Sequence, residues 1–361
     1  MLDKGLRKVA ISHTEIKWVS LEERLGFVRK GVGFVDLTDT PGPVSLVPPA
    51  KPFPFPAIPQ QLNRDSIRIQ NTLIANTSTA AMAHWLVPFT SLPSRYELSS
   101  NGWHASDDVF KQALALAKQS AIHPDLKISV QKFKHKGYKQ YSVIVRVDSA
   151  NQAAKNDSVF PILILAANLD SFNIYNPFSA NSPGANENGS GCAVLFEILR
   201  VLITTNSVPS RRAVEFHFYA ASLFGGKVGS WQVASQYSND GVAVAGVLGI
   251  TRTGWDPSTR ARVDKRVGVA TGSANKEFSK LLKTALTEEG FFPIERECGF
   301  ACADHSPWHI FGYPTAHSFE AEEGLESPYA HQSSDTVETV SFARMKAFVG
   351  VGLRVIVRLC F

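Results

Sequence analysis

Five segments hold most of the residues in this sequence that could bind a metal or catalyse a reaction. They are ANLDS (167–171), SPGANENGSG (182–191), YAASLFGGKVGS (219–230), CGFACADHSPWHIFGYPTAHSFE (298–320) and SPYAHQSSDT (327–336). Their candidate groups include the carboxylates of Asp170 and Glu187, the imidazole of His331 and the hydroxyl of Ser222. Carboxylates and imidazoles are zinc ligands and general acids or bases, so the chemistry to look for is hydrolysis or metal binding.

Apolar runs that alternate with helical patterns put these segments at or near the ends of strands. Strands are predicted at 141–147, 161–167, 214–220, 242–250 and 314–319, and helices at 190–202, 228–238, 276–288, 303–311 and 341–357. Apolar strands with intervening helices are typical of an α/β fold with three layers, in which helices cover both faces of a mostly parallel central sheet. Ligands of such folds bind at the carboxyl ends of the strands.

A proline-rich stretch divides the chain. Eight prolines lie in residues 41–59, where fixed φ angles and missing N–H donors prevent helices and central strands. We interpret 41–59 as a linker between an N-terminal segment, 1–40, and a large domain, 60–361. Residues 14–39 are expected to form an amphipathic unit that is too short to fold alone. Its expected apolar anchors are Trp18, Leu21, Leu25 and Phe27.

Composition and charge argue against nucleic-acid and membrane partners. The 361 residues are 44% hydrophobic and 19% charged, with a net charge of +5. The densest basic stretch alternates lysines with Phe133, His135 and Tyr138, which favours a solvent-exposed strand face over a nucleic-acid stripe. No apolar run reaches the roughly 18 residues of a membrane span, and charges interrupt the first twenty residues where a signal peptide would be apolar. The lysines concerned are Lys132, Lys134, Lys136 and Lys139.

The four cysteines fall into one pair and two single residues. Cys298 and Cys302 lie four residues apart in CGFAC, whereas Cys192 and Cys360 stand alone. That spacing in a turn-rich sequence predicts a local disulfide between Cys298 and Cys302. Zinc binding by the pair is less favoured, because no second Cys or His pair lies at ligand spacing.

Two other motifs carry little weight. FGGKVGS suggests a phosphate loop, but Val228 follows Lys227 where that motif requires Ser or Thr. Ser222 as a nucleophile would lack the Gly-x-Ser-x-Gly turn of serine hydrolases. Asp304 and His305 are expected to begin and cap a short helix, and His331 before its polar turn is expected to be a hydrogen-bonded structural residue.

Taken in order along the chain, the five segments resemble the bacterial and fungal secreted leucyl aminopeptidases, a family of co-catalytic zinc exopeptidases. The resemblance runs from about residue 89 to the C-terminus, and residues 14–39 also resemble the cleaved propeptide of the fungal enzymes. It implies a site of two zinc ions that share a bridging carboxylate and a water. The ligands would be two His, two Asp and one Glu, with a further Glu as general base.

At the matching ligand positions, most of those residues are replaced. The first His position is Asn168, the bridging Asp is Glu187, the second Asp is Thr251, and only the last His is retained, as His331. An amide oxygen and a hydroxyl are poor zinc ligands. The two remaining protein ligands, Glu187 and His331, fall short of the three that a catalytic zinc normally uses. We therefore expect no metal cofactor, although the family would hold two zinc ions.

The consecutive Glu pair that would supply the general base and a ligand is Ser222 and Leu223. A serine of ordinary pKa cannot take a proton from water near neutral pH, and the methyl groups of leucine cannot bind zinc. The resemblance and these replacements together predict an aminopeptidase-like protein without catalysis. The alternative is an active zinc aminopeptidase that releases N-terminal apolar residues from peptides.

The resemblance also assigns supporting roles. Asp170 would orient the first metal-bound His in the family, and here it can only accept hydrogen bonds at a strand end. Arg252, new relative to the family, brings a cation to a formerly acidic centre, where it could pair with Glu187 or Glu320 or point to water. The pocket for the first side chain of a peptide would be lined by Phe300, Phe319, Arg252, Ala330, Cys298 and Cys302. Such a pocket could bind the N-terminus of a peptide or protein.

The resemblance finally implies a secreted protein, although the sequence as given has no signal peptide and its true start could lie upstream. Nothing in the sequence suggests more than a monomer.

Overall fold

The computed structural model describes residues 5–42, 44–59, 61–150, 161–178, 180–257 and 265–361. The helices are α1 (Leu21–Arg29), α2 (Arg64–Ala75), α3 (Thr79–Phe89), α4 (Ser100–Gln119), α5 (Gly191–Thr204), α6 (Val228–Asn239), α7 (Lys276–Glu288), α8 (His305–Ile310) and α9 (Phe342–Cys360). The strands are β1 (Arg7–Ala10), β2 (Ile16–Val19), β3 (Val35–Asp36), β4 (Leu126–Lys134), β5 (Tyr141–Ser149), β6 (Ile162–Asn168), β7 (Val214–Tyr219), β8 (Val244–Ile250), β9 (Arg266–Ala270), β10 (Phe292–Arg296) and β11 (Thr315–Ser318). A kinked turn, Ala185–Ser190, in which Glu187 and Asn188 have non-helical backbone angles, precedes α5.

Eight of these strands form one central sheet in the order β10-β9-β11-β8-β6-β7-β5-β4. Its four middle strands, β11, β8, β6 and β7, run parallel to one another. On one side β5 and β4 continue the sheet antiparallel, and on the other β9 joins antiparallel to β11. The parallel centre sets the carboxyl ends of β6, β7 and β8 side by side at one edge of the sheet, as predicted.

Strand β6 shows why helices cover both faces of the sheet. Its side chains alternate between the faces with period two. Leu163 and Leu165 pack in the larger apolar core, to which α2, α3, α4, α5, α7 and α9 contribute. Ile162 and Ile164 pack on the other face, against residues that include Trp308 of α8. The three-layer α/β fold predicted from the alternation is therefore confirmed.

Every predicted strand and helix of the large domain is present, with ends shifted by no more than three residues. The sequence analysis did not predict α2, α3, α4, β9 or β10. The prediction that the four lysines lie on one exposed strand face is correct for two of them. Lys132 and Lys134 lie exposed on β4, which is the sheet's edge, but the strand ends at Lys134 and the chain turns at Gly137, where φ is +80°. Lys136 and Lys139 therefore lie beyond the strand.

The N-terminal segment forms a three-stranded antiparallel sheet, β2-β1-β3, and the helix α1. Leu25 is buried as predicted, but the prediction that Trp18 anchors the segment is wrong, because 58% of Trp18 is exposed. The reason is its place on β2, an edge strand whose alternation turns Trp18 outward and Val19 inward. A helical spacing of apolar residues does not apply across a strand.

The described part of residues 41–59 contains no helix or strand, as the prolines predict. This stretch nevertheless packs on the large domain. Phe53 stacks on Tyr313 with ring centroids 4.6 Å apart, and Phe55 stacks on Phe278 at 4.8 Å. It is therefore held along the surface by aromatic contacts. Among the described helices, none has the length and apolar character needed to cross a bilayer.

Candidate functional site

The structure brings most of the predicted site residues to the carboxyl ends of β6, β7 and β8. Asn168 is the last residue of β6, Ser222 follows β7, and Thr251 directly follows β8. Glu187 lies in the kinked turn before α5, and His331 lies in a loop after β11. We refer to these five residues, Asn168, Glu187, Ser222, Thr251 and His331, together with the side chains that contact them, as the cleft.

At the end of β6, polar side chains satisfy one another. The Asn168 amide donates to Asp170 Oδ1 at 3.2 Å, and its carbonyl oxygen accepts from the Asn188 amide at 3.0 Å. Asp170 Oδ2 accepts from the backbone N–H of Leu223 at 2.6 Å. Asp170 is thus a hydrogen-bond acceptor, as predicted, and burial raises its pKa. Asn188 also caps α5, because its side-chain oxygen accepts from the N–H of Gly191 at 3.1 Å.

The Arg252 guanidinium lies inside the cleft. Its Nε is 3.0 Å from Glu187 Oε2, and one terminal nitrogen is 3.8 Å from Glu320 Oε1. The two carboxylates are almost fully buried, whereas 24% of the Arg252 side chain is exposed. Burial alone would lower the pKa of Arg252, but the neighbouring carboxylates outweigh that effect and raise it. Of the alternatives that the sequence left open for Arg252, the structure shows pairing with the acidic centre.

Asp335 holds the turn that presents Glu187. Its two carboxylate oxygens accept from the backbone N–H groups of Asn186 and Glu187 at 2.8 and 2.9 Å. The Asn186 amide in turn donates to Glu320 at 2.5 Å. Burial raises the pKa of Asp335 to about 7. The position of Glu187 thus depends on a buried carboxyl that is about 150 residues away in sequence.

Ser222 belongs to a second buried network. Its hydroxyl donates to Asp304 Oδ2 at 2.6 Å, and Lys227 Nζ lies 3.3 Å from the same hydroxyl. The other Asp304 oxygen accepts from Ser230 at 2.7 Å. The prediction that Asp304 caps the helix is wrong, because its side chain makes no capping hydrogen bond to α8. The Asp304 carboxylate instead accepts hydrogen bonds from Ser222 and Ser230, which are distant in sequence.

The structure does not show the hydrogen-bonded His331 that was predicted. Its ring lies 5.9 Å from that of Phe172, and its Nδ1 is buried without a hydrogen-bond partner among the described residues. Burial lowers the pKa of His331, which favours the neutral imidazole. The neighbouring Ala330 is partly exposed.

The predicted pocket residues separate into two groups. Cys298, Cys302 and Phe319 share a small apolar cluster, and the Arg296 guanidinium lies 4.1 Å from the centre of the Phe319 ring. Phe300 instead packs in another cluster with β3 and α6 residues, and its ring is 5.1 Å from that of His13. The structure therefore brings Phe319 and the cysteines together without Phe300.

The disulfide between Cys298 and Cys302 is present, with the two Cα atoms 5.8 Å apart. Cys192 and Cys360 are free and buried, as their isolation in the sequence indicates.

Sequence reasoning missed Arg95, which ties two loops of the cleft together. Its guanidinium is fully buried and donates to the carbonyl oxygens of Leu169 at 2.8 Å, of Gly184 at 3.0 Å, and of Pro183. Its backbone N–H donates to Ser171 at 3.0 Å. Because these partners lie 74 to 89 residues away, no local pattern could have identified it.

These side chains do not fit a pair of zinc ions. Among the positions that the resemblance assigns to ligands, strong donor atoms are present only in Glu187 and His331. Glu187 is already paired with a guanidinium, which supplies positive charge where the metal would supply it. Asn168 is hydrogen-bonded to other side chains, and Leu223 has no donor atom in its side chain.

The chain is similar to known proteins in both sequence and structure. Residues 143–355 match the model of peptidase family M28. Leucine aminopeptidase 1 of Sclerotinia sclerotiorum is 30% identical over 350 residues, which cover 96% of this chain and 86% of that protein. A probable aminopeptidase of Saccharomyces cerevisiae is 29% identical over 364 residues, which cover 98% of this chain and 92% of the yeast protein.

The crystal structure of LapB from Legionella pneumophila superposes with a TM-score of 0.80 at 20% identity, covering 98% of this chain and 95% of that one. At this identity the likeness concerns the fold alone. The matched model and the curated relatives carry the assignment further: the chain belongs to peptidase family M28, among the zinc exopeptidases related to leucine aminopeptidase.

Proposed function

We propose that this protein is a member of the family that has lost peptide hydrolysis and holds no zinc in its cleft. The observation that carries the proposal is the Arg252 guanidinium, 3.0 Å from Glu187 and 3.8 Å from Glu320. A buried carboxylate needs a positive partner, which an ion or a basic side chain can supply. A divalent ion at Glu187 would have to displace this guanidinium and then bind through two protein ligands.

The replacement of the family's general-base residue supports the same conclusion. Hydrolysis requires a group that removes a proton from water, with a pKa near the working pH. Ser222 lies where the resemblance expects that group, and its hydroxyl donates a hydrogen bond to Asp304 at 2.6 Å. A hydroxyl held in this way cannot accept the proton of a water molecule without breaking a buried network.

We also propose that the cleft binds the N-terminal residue of a peptide or protein. The apolar cluster of Cys298, Cys302 and Phe319 supports an apolar first side chain, and the nearby carboxylates suit an amino group. Calorimetric titration with leucine-initiated peptides tests this. Saturable binding that needs a free amino group would support it, and no heat with any such peptide would contradict it.

The N-terminal segment, residues 1–40, is proposed to stay attached as a lid instead of being removed. Leu223, at the former ligand position, packs with Phe172, Phe224 and Leu25 of α1. The backbone N–H of Asp36 donates to Gly226 of the large domain at 2.9 Å. Mass measurement of the protein from its natural source would support this if residues 5–40 remain in the mature chain. A mature N-terminus beyond the linker would contradict it.

Secretion is proposed on the basis of the Cys298–Cys302 disulfide, because disulfides persist in oxidising compartments. Tagged protein followed in its own host should accumulate in the medium or in a compartment of the secretory route. Exclusive recovery from the cytosol would contradict the proposal.

The loss of hydrolysis is tested with the purified, non-reduced protein and a chromogenic leucine amide, with and without added zinc or cobalt. No turnover above the blank is expected. An active leucine aminopeptidase prepared in parallel serves as the control. Steady turnover that follows the zinc content of the sample would overturn the proposal.

A restored site gives a stricter test. The variant carries N168H, E187D, S222E, L223E and T251D, and a matched variant adds R252M. Turnover is expected only when Arg252 is also replaced, because the guanidinium competes with the ions for the carboxylates. Activity in the five-fold variant that still contains Arg252 would show that this residue does not occupy the metal position.

A further inference from the structure

A second group of metal-binding side chains lies beside the cleft, in the wall formed after β10. The Sγ atoms of Cys298 and Cys302 and a ring nitrogen of His305 all lie within 4.8 Å of one another. We propose that, when the Cys298–Cys302 disulfide is reduced, these three residues bind one zinc ion. This site is separate from the ligand positions of the cleft, although its two cysteines also belong to the proposed pocket, and it does not depend on whether the cleft hydrolyses peptides.

The ligand set is one that zinc prefers. Two thiolates and an imidazole form the Cys₂His combination known from zinc sites that keep a fourth position for water. His305 Nε2 lies 3.8 Å from Cys298 Sγ, close to the roughly 3.6 Å that separates nitrogen and sulfur ligands around a tetrahedral zinc. The side chains therefore need little movement beyond opening of the disulfide.

The position of His305 follows from the start of a helix. CGFAC alone offers only two ligands, which is why the sequence favoured a disulfide. The chain turns at Ala301, where φ is +51°, and α8 begins at His305, so the ligands are spaced Cys-x₃-Cys-x₂-His. The turn and the first residue of the helix bring the imidazole over the sulfur atoms.

His305 is held in a form suited to binding a metal. It is completely buried, and its ring stacks on His317 with centroids 4.8 Å apart and planes 5° apart. Stacking fixes the ring plane, so little side-chain entropy is lost on binding.

The charge balance favours a divalent ion here. Two thiolates cancel the charge of Zn²⁺, so the loaded site is neutral, and its burial costs less than that of an unpaired ion. Cys298 is buried, whereas Cys302 is partly exposed. The ion can therefore enter from the Cys302 side, and water can fill the fourth position.

The redox step is balanced by a dithiol reductant. The reductant gives two electrons, its own sulfur atoms form a disulfide, and the bond between Cys298 and Cys302 breaks to give two thiols. Each thiol loses a proton as it binds, so one zinc ion enters and two protons leave. The oxidised chain has no thiolate at these positions and is expected not to bind the ion there.

The experiment uses the full-length protein, reduced with a dithiol and freed of excess reductant without oxygen, and cobalt(II) as the spectroscopic probe for the zinc site. The reduced protein should bind one cobalt ion and show the near-ultraviolet absorption of thiolate-to-cobalt charge transfer. Zinc should abolish this absorption. The non-reduced protein should show none. A reduced wild-type protein without the absorption would overturn the proposal.

Variants locate the site. His305→Gln and Cys302→Ser should each weaken cobalt affinity at least ten-fold, in line with the loss of a metal ligand. The double variant C192S/C360S removes the other two cysteines and should bind like the wild type. His331→Ala should also bind cobalt like the wild type. If the ion lay in the cleft instead, binding would be lost in His331→Ala and kept in Cys302→Ser.

Circular dichroism of the reduced, metal-free variants checks that each one folds. Two results would overturn the assignment: normal binding by folded His305→Gln and Cys302→Ser, or loss of the absorption in C192S/C360S.

Discussion

The interior of β6 and its carboxyl end differ in how they depend on the sequence. Inside the strand, Leu163 and Leu165 are fully buried among apolar side chains, and many apolar residues would serve there. At its end, Asn168, Asp170 and Asn188 meet in a buried polar network in which each atom has a particular partner. The first region fixes the fold and the second fixes the chemistry.

This difference explains how the family fold could persist under the proposed loss of metal chemistry. The apolar side chains that pack on the two faces of the sheet do not include the ligand positions. The cleft, however, must balance its own charge, because buried carboxylates without a cation are costly. We infer that Arg252 provides this balance for Glu187 and Glu320. The comparison can be tested by perturbing each region separately.

The largest effect is expected at the strand ends. Arg252→Met removes the cation between two buried carboxylates and should lower the free energy of unfolding by about 4 kcal/mol. Urea titration at pH 7 measures this. Arg252→Lys keeps the positive charge and should lower the free energy of unfolding by less. A loss below about 1 kcal/mol in Arg252→Met would mean that the carboxylates do not depend on the guanidinium.

The strand interior should be the next most sensitive. Leu165→Ala creates a cavity in the larger core and should cost about 3 kcal/mol in the free energy of unfolding. Leu165→Met nearly conserves the volume and should cost less than about 1.5 kcal/mol. Equal losses in the two variants would show that shape, and not volume, governs this position, which would weaken the contrast drawn above.

The free energy of unfolding should also depend on pH through Asp335 of the cleft. The pKa of Asp335 is raised to about 7 in the folded protein, whereas an unfolded Asp titrates near 3.9. The folded state therefore holds the proton longer, and the stability this group contributes is full below about pH 4 and lost as the pH rises towards 7.

Asp335→Asn does not titrate, so the loss with rising pH should disappear. The free energy of unfolding of the variant relative to wild type should rise by roughly 3 kcal/mol between pH 4 and pH 7. Denaturation curves at several pH values measure it, with the exposed Asp65→Asn as the control. A difference that is constant with pH would contradict the raised pKa.

The smallest effect is expected on the exposed face of β4. Lys134 is exposed on the edge strand, and Lys134→Ala should change the free energy of unfolding by less than about 0.5 kcal/mol. Lys132→Ala should cost slightly more, since its Nζ lies 3.3 Å from Asp107. Thermal melts of the two variants give this baseline, and a large loss in Lys134→Ala would show that the edge is not simply solvated.

The sequence predicted the elements whose signals are local. Strands β5 to β8 are apolar runs, and each was found within two residues of its predicted ends. The amphipathic helix α4 carried a readable signal, with Ser99 as its cap, and was overlooked. Helix α3 is harder to read, since Pro88 lies in its last turn and interrupts the pattern.

The cleft was less predictable because its contacts are distant in sequence. The order of the motifs was enough to bring Asn168, Glu187 and His331 to one place, and the pairing of Arg252 with Glu187 was among the expected alternatives. The bonds from Asp304 to Ser222 and from Asp335 to the Asn186 backbone were not predictable. The first bond joins two residues that are 82 positions apart in the sequence, and the second joins two that are 149 positions apart. No local pattern encodes such contacts.

The central claim is that a guanidinium stands where the family's metal ions would be. A crystal of the non-reduced protein grown with zinc, measured at the zinc absorption edge, tests it most directly. We predict no anomalous peak beside His331, with Arg252 still paired to Glu187. Two strong peaks roughly 3.5 to 4 Å apart, with Arg252 displaced from Glu187, would contradict the account.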